Sequence, residues 1–278
     1  MEVQMHKKRL FSQIAVASVA VLILAGCSSS SDSASSGVPK VDMMKELGAG
    51  EGQVNIVAWA GYVENGSTDP KVDWVTGFEK ETGCKVNVKN GATSDDMVAL
   101  MKTGEYDVVS ASGDASLRLI YGGDVSPVNT DLITNYADVF ANLKDQPWNS
   151  VNGVAYGVPH GRGANLLAYR TDIVKPAPTS WGSVFDTNSP YKGKITAYDS
   201  PIYIADAALY LMKTQKDLGI KYPYALDQKQ FDAAVALLTE QKPLIGEYWG
   251  DYLKHVASLK SGGTVLGTTW QVNINLAD

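Results

Sequence analysis

The sequence has few of the residues on which enzyme and metal sites usually depend. It contains only three histidines among 278 residues, and removal of an N-terminal signal would leave His160 and His255. A histidine-rich zinc site is therefore not expected. The sequence also lacks a G-x-S-x-G elbow, a Walker A loop and a G-x-G-x-x-G motif after a strand, so a catalytic triad would have to assemble without a motif. These absences give little support to catalysis.

Positive charge is scarce as well. The chain has 24 lysines and arginines against 30 aspartates and glutamates, a net charge of -6. This balance argues against a general nucleic-acid binder, because phosphate binding needs clustered positive charge. With 45% hydrophobic and 19% charged residues, the composition also excludes a disordered tail and a polytopic membrane protein. The length suits two domains of roughly 100 to 200 residues each.

The N-terminal segment predicts export. Lys7, Lys8 and Arg9 precede a mostly apolar run over 10–24, which is the charged and apolar order of a secretory signal and is short for a membrane-spanning helix. The run ends in Leu-Ala-Gly-Cys-Ser, which resembles a bacterial lipobox and predicts lipidation of Cys27. A signal anchor with an incidental cysteine is the alternative.

From this we expect a signal peptide over 1–27 and a serine-rich tether over 28–50. After removal of the signal peptide, the lipid on Cys27 would anchor the mature protein at the periplasmic or extracytoplasmic face of a bacterial envelope. Cys84 would then be the last thiol, which leaves no intramolecular disulfide.

The body of the chain begins with alternating strands and helices. Apolar runs predict strands over 54–60, 84–88 and 106–112. Apolar residues at helical spacing predict helices over 69–81, after Ser94 as N-cap, and over 115–121. Three successive strand–helix units predict a parallel sheet. The stretch over 122–152 is rich in Asn, Asp and Pro and predicts loops with one short helix near 132–140.

The second half repeats this class of structure after a glycine-rich crossover over 157–163. Strands are expected over 194–198 and 264–268, with helices over 204–214, 228–241 and 247–259. The sequence therefore predicts an α/β fold of two lobes, each with a parallel or mixed sheet. The lobes would span 51–160 and 161–278.

Ligands bind beyond the carboxyl ends of strands in open parallel sheets, so the residues after each strand are the candidate site. These positions offer aromatic rings, a hydroxyl and two carboxylates. The candidates are Trp59, Tyr62, Ser112, Asp114, Asp199, Tyr203 and Trp270. The set suits a cationic ligand held by cation–π contacts and charged hydrogen bonds, and a neutral polar ligand also fits. The alternatives are core packing for the aromatics, helix capping for Asp114 and a turn at Asp199.

Arg162 in the crossover is a further candidate, together with the neighbouring His160. A guanidinium can grip a carboxylate or phosphate with two hydrogen bonds. Hydrogen bonding between the lobes is the alternative role for these two residues.

Five stretches resemble the solute-binding component of ABC importers, in the spermidine/putrescine-type branch. They are VNIVAWAGYVENGSTDPKVDWVTGFEKETGCKVNVK, TSDDMVALMKTGEYDVVSASGDASLRLI, YGVPHGRGANLLAYRTD, PYKGKITAYDSPIYIADAALYL and GTTWQ, and together they extend over 54–270. The resemblance implies a type II, Venus-flytrap binding protein. It would act as a monomer without cofactor or metal, capture a polyamine between closing lobes, and deliver it to membrane permease subunits. It implies neither an enzyme nor a nucleic-acid partner.

The resemblance also assigns individual positions. Trp59 and Tyr62 match aromatic residues that line the polyamine cleft, Ser112 matches a hydroxyl position, and Trp270 matches an aromatic wall. Family members place one carboxylate near 202–203 and another shortly after the tryptophan, where this chain has neither. Asp114 and Asp199 are the candidate replacements.

Several alternatives stay open. Without carboxylates in the cleft, Arg162 would favour an anionic or zwitterionic solute. An envelope acyltransferase or hydrolase using Ser112 near His160 is a candidate from another class. In family members the chain continues past this tryptophan and returns to the first lobe. We expect this C-terminal segment to be missing here. The last alternative is therefore a fragment that has no function of its own.

Overall fold

The computed structural model describes residues 37–67 and 69–277. Cys27, the expected signal peptide and the first part of the tether lie outside the described residues. The tether residues 37–50 form no helix or strand and are mostly exposed. The Asn129 side chain donates a hydrogen bond of 3.1 Å to the Met44 carbonyl, so this end of the tether lies against the body of the chain.

The first lobe is built on a three-stranded parallel sheet with the order β2-β1-β3. Its strands are β1 (Gln53–Ala58), β2 (Lys85–Asn90) and β3 (Val108–Val109), and its helices are α1 (Val75–Thr82), α2 (Ser94–Met101) and α3 (Gly113–Gly122). Its buried core includes Val57, Met97 and Leu119. The predicted strand–helix alternation is confirmed.

The N-cap of helix α2 lies one residue earlier than predicted, because the helix itself begins at Ser94. The Thr93 hydroxyl accepts a 3.1 Å hydrogen bond from the Asp96 amide, and the Asp96 carboxylate accepts one of 3.2 Å from the Thr93 amide. This reciprocal pair is a capping box, so Thr93 and not Ser94 is the N-cap.

The segment over 122–152 consists of short turns, as its composition indicates. It holds 3₁₀ helices at Thr130–Leu132, Thr134–Asp138 and Ala141–Leu143, and the predicted helix coincides with the second of these. Strands β4 (Ser150–Val151) and β5 (Val154–Ala155) then form a small antiparallel hairpin.

The second lobe contains a four-stranded mixed sheet with the order β6-β9-β7-β8. Strand β7 is parallel to β8 and β9, whereas β6 is antiparallel to β9. The strands are β6 (Leu166–Tyr169), β7 (Ile195–Tyr198), β8 (Ile245–Trp249) and β9 (Leu266–Thr269). The helices are α4 (Gly182–Phe185), α5 (Ile202–Thr214), α6 (Gln228–Gln241), α7 (Tyr252–Ser261) and α8 (Gln271–Ala277), with 3₁₀ turns at Lys216–Leu218 and Lys242–Leu244. A further 3₁₀ turn, Pro70–Val72, belongs to the first lobe.

The helix predicted over 247–259 is wrong at its start, because residues 245–249 form strand β8. A side chain at Gly246 would collide with the carbonyl oxygen of Gly193, which shows how closely β8 approaches the chain before β7. The helix itself begins at Tyr252, where the Asp251 carboxylate caps the amide of Leu253 at 2.8 Å.

The second lobe has the larger core. All residues of β7 and β9 are buried, and α5 and α6 pack over them with Ala207, Leu211 and Ala234. Among the described residues, no helix is long and apolar enough to cross a membrane.

Candidate functional site

A cavity of about 3150 Å³ lies where the carboxyl ends of the strands from both sheets come together. Residues that follow β1, β3, β8 and β9 line it, together with the last residue of β7. Pockets for small molecules usually measure about 300–1,000 Å³. This cavity is larger, and its lining extends along the β3 side of the first lobe.

One carboxylate stands in the second-lobe wall of the cavity. Asp206 lies on α5, and its Oδ1 accepts a 2.7 Å hydrogen bond from Asn165 Nδ2. The Asn165 Oδ1 in turn accepts a 3.1 Å hydrogen bond from Trp270 Nε1. An acid, an amide and an indole are thus joined in a short chain at the cavity surface.

Helix α5 places Asp206 there through its periodicity. Ile202, Asp206, Leu209, Tyr210 and Lys213 recur at three- and four-residue spacing and all line the cavity. The opposite face of α5 packs on the second-lobe core through Ala207, Ala208 and Leu211. Asp206 is the only acidic residue of this helix.

Aromatic rings stand behind and beside this carboxylate. Trp270 makes edge contacts with Tyr198 and Trp249, with ring centroids 4.8 and 4.9 Å apart. Trp249 also stacks on the buried His255 at 4.4 Å. Burial holds the pKa of His255 at about 4, so this imidazole is neutral at physiological pH.

The side chains of the first-lobe wall are held less tightly than those of the second-lobe wall. Trp59 meets Trp270 edge to face, with the two ring centroids 6.0 Å apart. Tyr62 is 40% exposed and stacks on His160 at 5.2 Å. Ser112 is the N-cap residue of α3, and its side chain makes no capping hydrogen bond there.

Two hydrogen bonds join the lobes beside the cavity. The Tyr198 hydroxyl, in the second lobe, donates to the Ala92 carbonyl at 2.9 Å, and the Ser94 amide donates to the Ser200 hydroxyl at 3.4 Å. A second aromatic pair, Trp148 with Tyr224 at 6.0 Å, also lines the cavity.

The local electrostatics favour a positive charge. Burial, and to a lesser extent the nearby Asp114, raises the pKa of Asp206 to about 6, against the lowering effect of Asn165. Burial also raises the pKa of Asp114, whose two carboxylate oxygens have no hydrogen-bond partner among the described residues. Neither acid forms an ion pair within the described part of the chain. A cation in the cavity would relieve this uncompensated charge.

The structure brings five of the eight predicted ligand residues to the cavity. They are Trp59, Tyr62, Ser112, Arg162 and Trp270. Arg162 lies in the exposed crossover and lines the rim of the cavity.

The other three predicted residues lie elsewhere. The assignment of Tyr203 to the ligand site is corrected, because this residue is buried in the second-lobe core. Its hydroxyl donates a 3.1 Å hydrogen bond to Gln241 Oε1 there. Asp199 is also a correction, since it is exposed after β7 and does not line the cavity. Asp114 lies behind the wall, buried beside Ser94, and acts on the cavity only through its charge.

The prediction missed Asp206, Asn165, Tyr198 and Tyr224, which all line the cavity. A signal for Asp206 was available, because it is a lone acid within the apolar run from Ile202 to Met212. A single acid on a helix that is otherwise apolar is costly to bury and so points to a function. Within the described residues, no group of three histidine, cysteine or acidic side chains could hold a metal ion.

Comparison with known proteins places this cavity in a family context. Residues 73–278 match the family described as bacterial extracellular solute-binding protein. The chain belongs to this family. The resemblance inferred from the sequence is therefore confirmed at the level of the family.

One curated relative is the spermidine/putrescine-binding periplasmic protein 1 of Haemophilus influenzae. It is 24% identical over 243 residues, which cover 86% of this chain. The chain spans 62% of the length of that relative.

Solved structures of other binding proteins share the fold. The TpPotD lipoprotein of Treponema pallidum matches with a TM-score of 0.63 and 17% identity, over 81% of this chain and 66% of that one. The binding protein MotA of A. tumefaciens B6, solved with glucopine, matches with a TM-score of 0.56 and 19% identity, again over 81% and 66%. The predicted two-lobed periplasmic binding protein fold is confirmed.

Proposed function

We propose that this protein is the extracytoplasmic solute-binding component of an ABC importer and that it captures a small cationic solute of the spermidine/putrescine class. The observation that carries the proposal is Asp206, a half-buried carboxylate with no basic partner among the described residues, in a cavity walled by tryptophan and tyrosine. An alkylammonium group supplies the missing charge, and its methylene chain suits the aromatic faces. The curated relative, named for binding spermidine and putrescine, supports the same class.

The direct test is calorimetric titration of the full chain, purified in detergent, with spermidine, putrescine, an amino acid and a sugar. We expect heat of binding from the two polyamines and a change in tryptophan fluorescence, because Trp59 and Trp270 face the same cavity. A cooperative melt of the same sample shows that it is folded. A folded sample that binds none of the polyamines would overturn the proposal.

A zwitterionic or anionic solute is the second candidate. Arg162 lines the cavity rim and forms no ion pair among the described residues. The fold also accommodates glucopine in one neighbour. Arg162→Ala would abolish binding of a solute whose carboxylate the guanidinium grips, and would leave polyamine binding within about twofold, because a cationic solute gains nothing from a positive side chain.

An enzymatic role for Ser112 receives no support from the geometry. The His160 ring stacks on Tyr62, and no hydrogen bond joins it to Ser112 in the described residues. A family of solute-binding proteins agrees with capture without chemistry.

The same proposal includes the cellular setting. The two lobes, over 51–160 and 161–278, would close on the solute and present it to permease subunits. The protein would be a monomer, anchored to the membrane through lipid on Cys27. Metabolic labelling with palmitate tests the anchor. Label should appear on the wild-type chain and be lost in Cys27→Ala, and label retained in that variant would contradict it.

A further inference from the structure

Asn165 stands at a junction that the proposed function does not explain. It directly precedes β6, at the end of the crossover between the lobes, and it lines the cavity. Its amide nitrogen donates to Asp206 of α5 at 2.7 Å, and its amide oxygen accepts from Trp270 after β9 at 3.1 Å. One short side chain therefore connects three separate elements at the cavity surface.

The chemistry of the two partners fixes how this amide is oriented. An ionised carboxylate only accepts hydrogen bonds, and an indole nitrogen only donates them. Only one of the two orientations of the Asn165 amide satisfies both partners. An aspartate at this position could not donate to Asp206 without a proton, and a leucine could serve neither partner.

We propose that Asn165 is a positioning residue for ligand recognition, which holds the Asp206 carboxylate and the Trp270 ring in one arrangement that receives an ammonium group. This inference rests on the proposed function, since it assumes that a cationic solute enters the cavity. Asn165 acts through the two side chains that it orients. By donating to Asp206 it also favours the charged form of that carboxyl, which is the form that binds a cation.

The hydrogen bond from Asn165 is important because the other groups around Asp206 do not stabilise its ionised form. Asp114 on α3 faces Asp206 with a like charge, Tyr224 approaches from the segment before α6, and Tyr203 lies on α5 itself. None of these three groups brings a positive charge. Among the groups that shift the pKa of Asp206, only the Asn165 amide favours its ionised form.

The test is the affinity for putrescine from pH 5.5 to pH 8, measured by calorimetry on the full chain, for wild type and Asn165→Ala. Comparison at equal pH removes the titration of the ligand itself. We expect the variant to bind about tenfold more weakly at pH 6 and less than about threefold more weakly at pH 8, because loss of a hydrogen bond to a charged group disfavours the ionised carboxyl. Asn188→Ala, an exposed asparagine of the second lobe, is the matched control and should follow the wild type.

A loss of equal size at every pH, or no loss at all, would overturn the positioning role. Trp270→Phe keeps an aromatic ring but removes the indole N–H, and serves as the second variant if Asn165→Ala does not fold. Its affinity should also fall more at pH 6 than at pH 8, because the amide loses its anchor, and a loss independent of pH would count against the inference. If the wild type binds no putrescine, the proposed function fails. If the wild type binds putrescine and Asn165→Ala binds it equally well, only the inference about Asn165 fails.

Discussion

The two walls of the cavity differ in how firmly they hold their side chains. In the second lobe, Asp206, Asn165 and Trp270 are linked by hydrogen bonds of 2.7 and 3.1 Å, and Tyr198 is buried against them. In the first lobe, the Tyr62 ring is 40% exposed and stacks on a histidine of the exposed crossover. One wall is fixed before the ligand arrives, and the other has freedom to adjust.

This difference follows from the two sheets. The second sheet has four strands, two of them wholly buried, whereas the first has three strands and exposes Val108 on its edge strand β3. A fixed wall reduces the entropy lost on binding, because its side chains are already ordered. We therefore expect the second lobe to determine which solute binds and the first lobe to close over it.

The largest effect should come from removing the carboxylate of the fixed wall. Asp206→Asn keeps the size of the side chain but removes the charge that pairs with an ammonium group. We expect polyamine affinity to fall at least about 100-fold, since loss of one partner of a buried charge pair typically costs 2–5 kcal/mol. Titration calorimetry measures this loss. Asp217→Asn, an exposed acid beyond the same helix, is the control, and equal losses in both variants would contradict the assignment.

The same substitution should stabilise the ligand-free protein. The folded-state pKa of Asp206 is about 6, against about 4 in an unfolded chain, so ionisation opposes folding increasingly as the pH rises from about 4 to 6. Above pH 6 the full penalty, about 2–3 kcal/mol, is present in the wild type and absent in Asp206→Asn.

Thermal unfolding from pH 4.5 to pH 8 measures this difference. The variant should melt about 4 to 12 °C higher at pH 8 and close to the wild type at pH 4.5. A constant offset at all pH values would show that the carboxyl is not the cause. A gain in stability with loss of binding would mark Asp206 as a functional residue retained at a cost to the fold.

The sequence allowed one wall to be predicted better than the other. Trp59, Tyr62 and Ser112 of the first lobe were found because each follows a strand end, where the edge rule for parallel sheets applies. Asp206 was missed because it lies one turn inside a helix, and its approach to the cavity depends on how α5 packs on the sheet.

Strand β8 escaped prediction for a related reason. Trp249, Leu253 and Val256 lie four and three residues apart, which also fits a helix, and only the parallel pairing of β8 with β7, about 50 residues earlier, decides between the two. Tyr203 was assigned to the cavity because it lies shortly after the carboxyl end of β7, whereas its hydroxyl bonds Gln241 inside the core. In each case a contact distant in sequence decided the outcome.

The two tryptophans offer a direct comparison of the walls. Trp270→Ala removes an aromatic face and the anchor of Asn165, whereas Trp59→Ala removes an aromatic face alone. With cation–π contacts of about 0.5–2 kcal/mol, we expect affinity losses of about thirtyfold and fivefold, respectively. Fluorescence titration with spermidine, using the tryptophans that remain in each variant, measures both. A larger loss for Trp59→Ala would reverse our view of which wall is fixed.

The smallest effect is expected at Tyr62, the most exposed of the predicted aromatic residues of the cavity. Its ring packs on His160 at 5.2 Å and so closes the rim of the cavity. An exposed ring contributes little to the affinity of a bound cation, so Tyr62→Ala should weaken equilibrium binding only about two- to threefold.

Closure of a mobile wall acts mainly on the dissociation rate of the solute, because most affinity changes at a binding surface appear in dissociation. Stopped-flow measurement should therefore find faster dissociation with an unchanged association rate. If Tyr62→Ala instead slowed association, the first-lobe wall would be guiding the solute inward, and the division between a fixed and a closing wall would not hold.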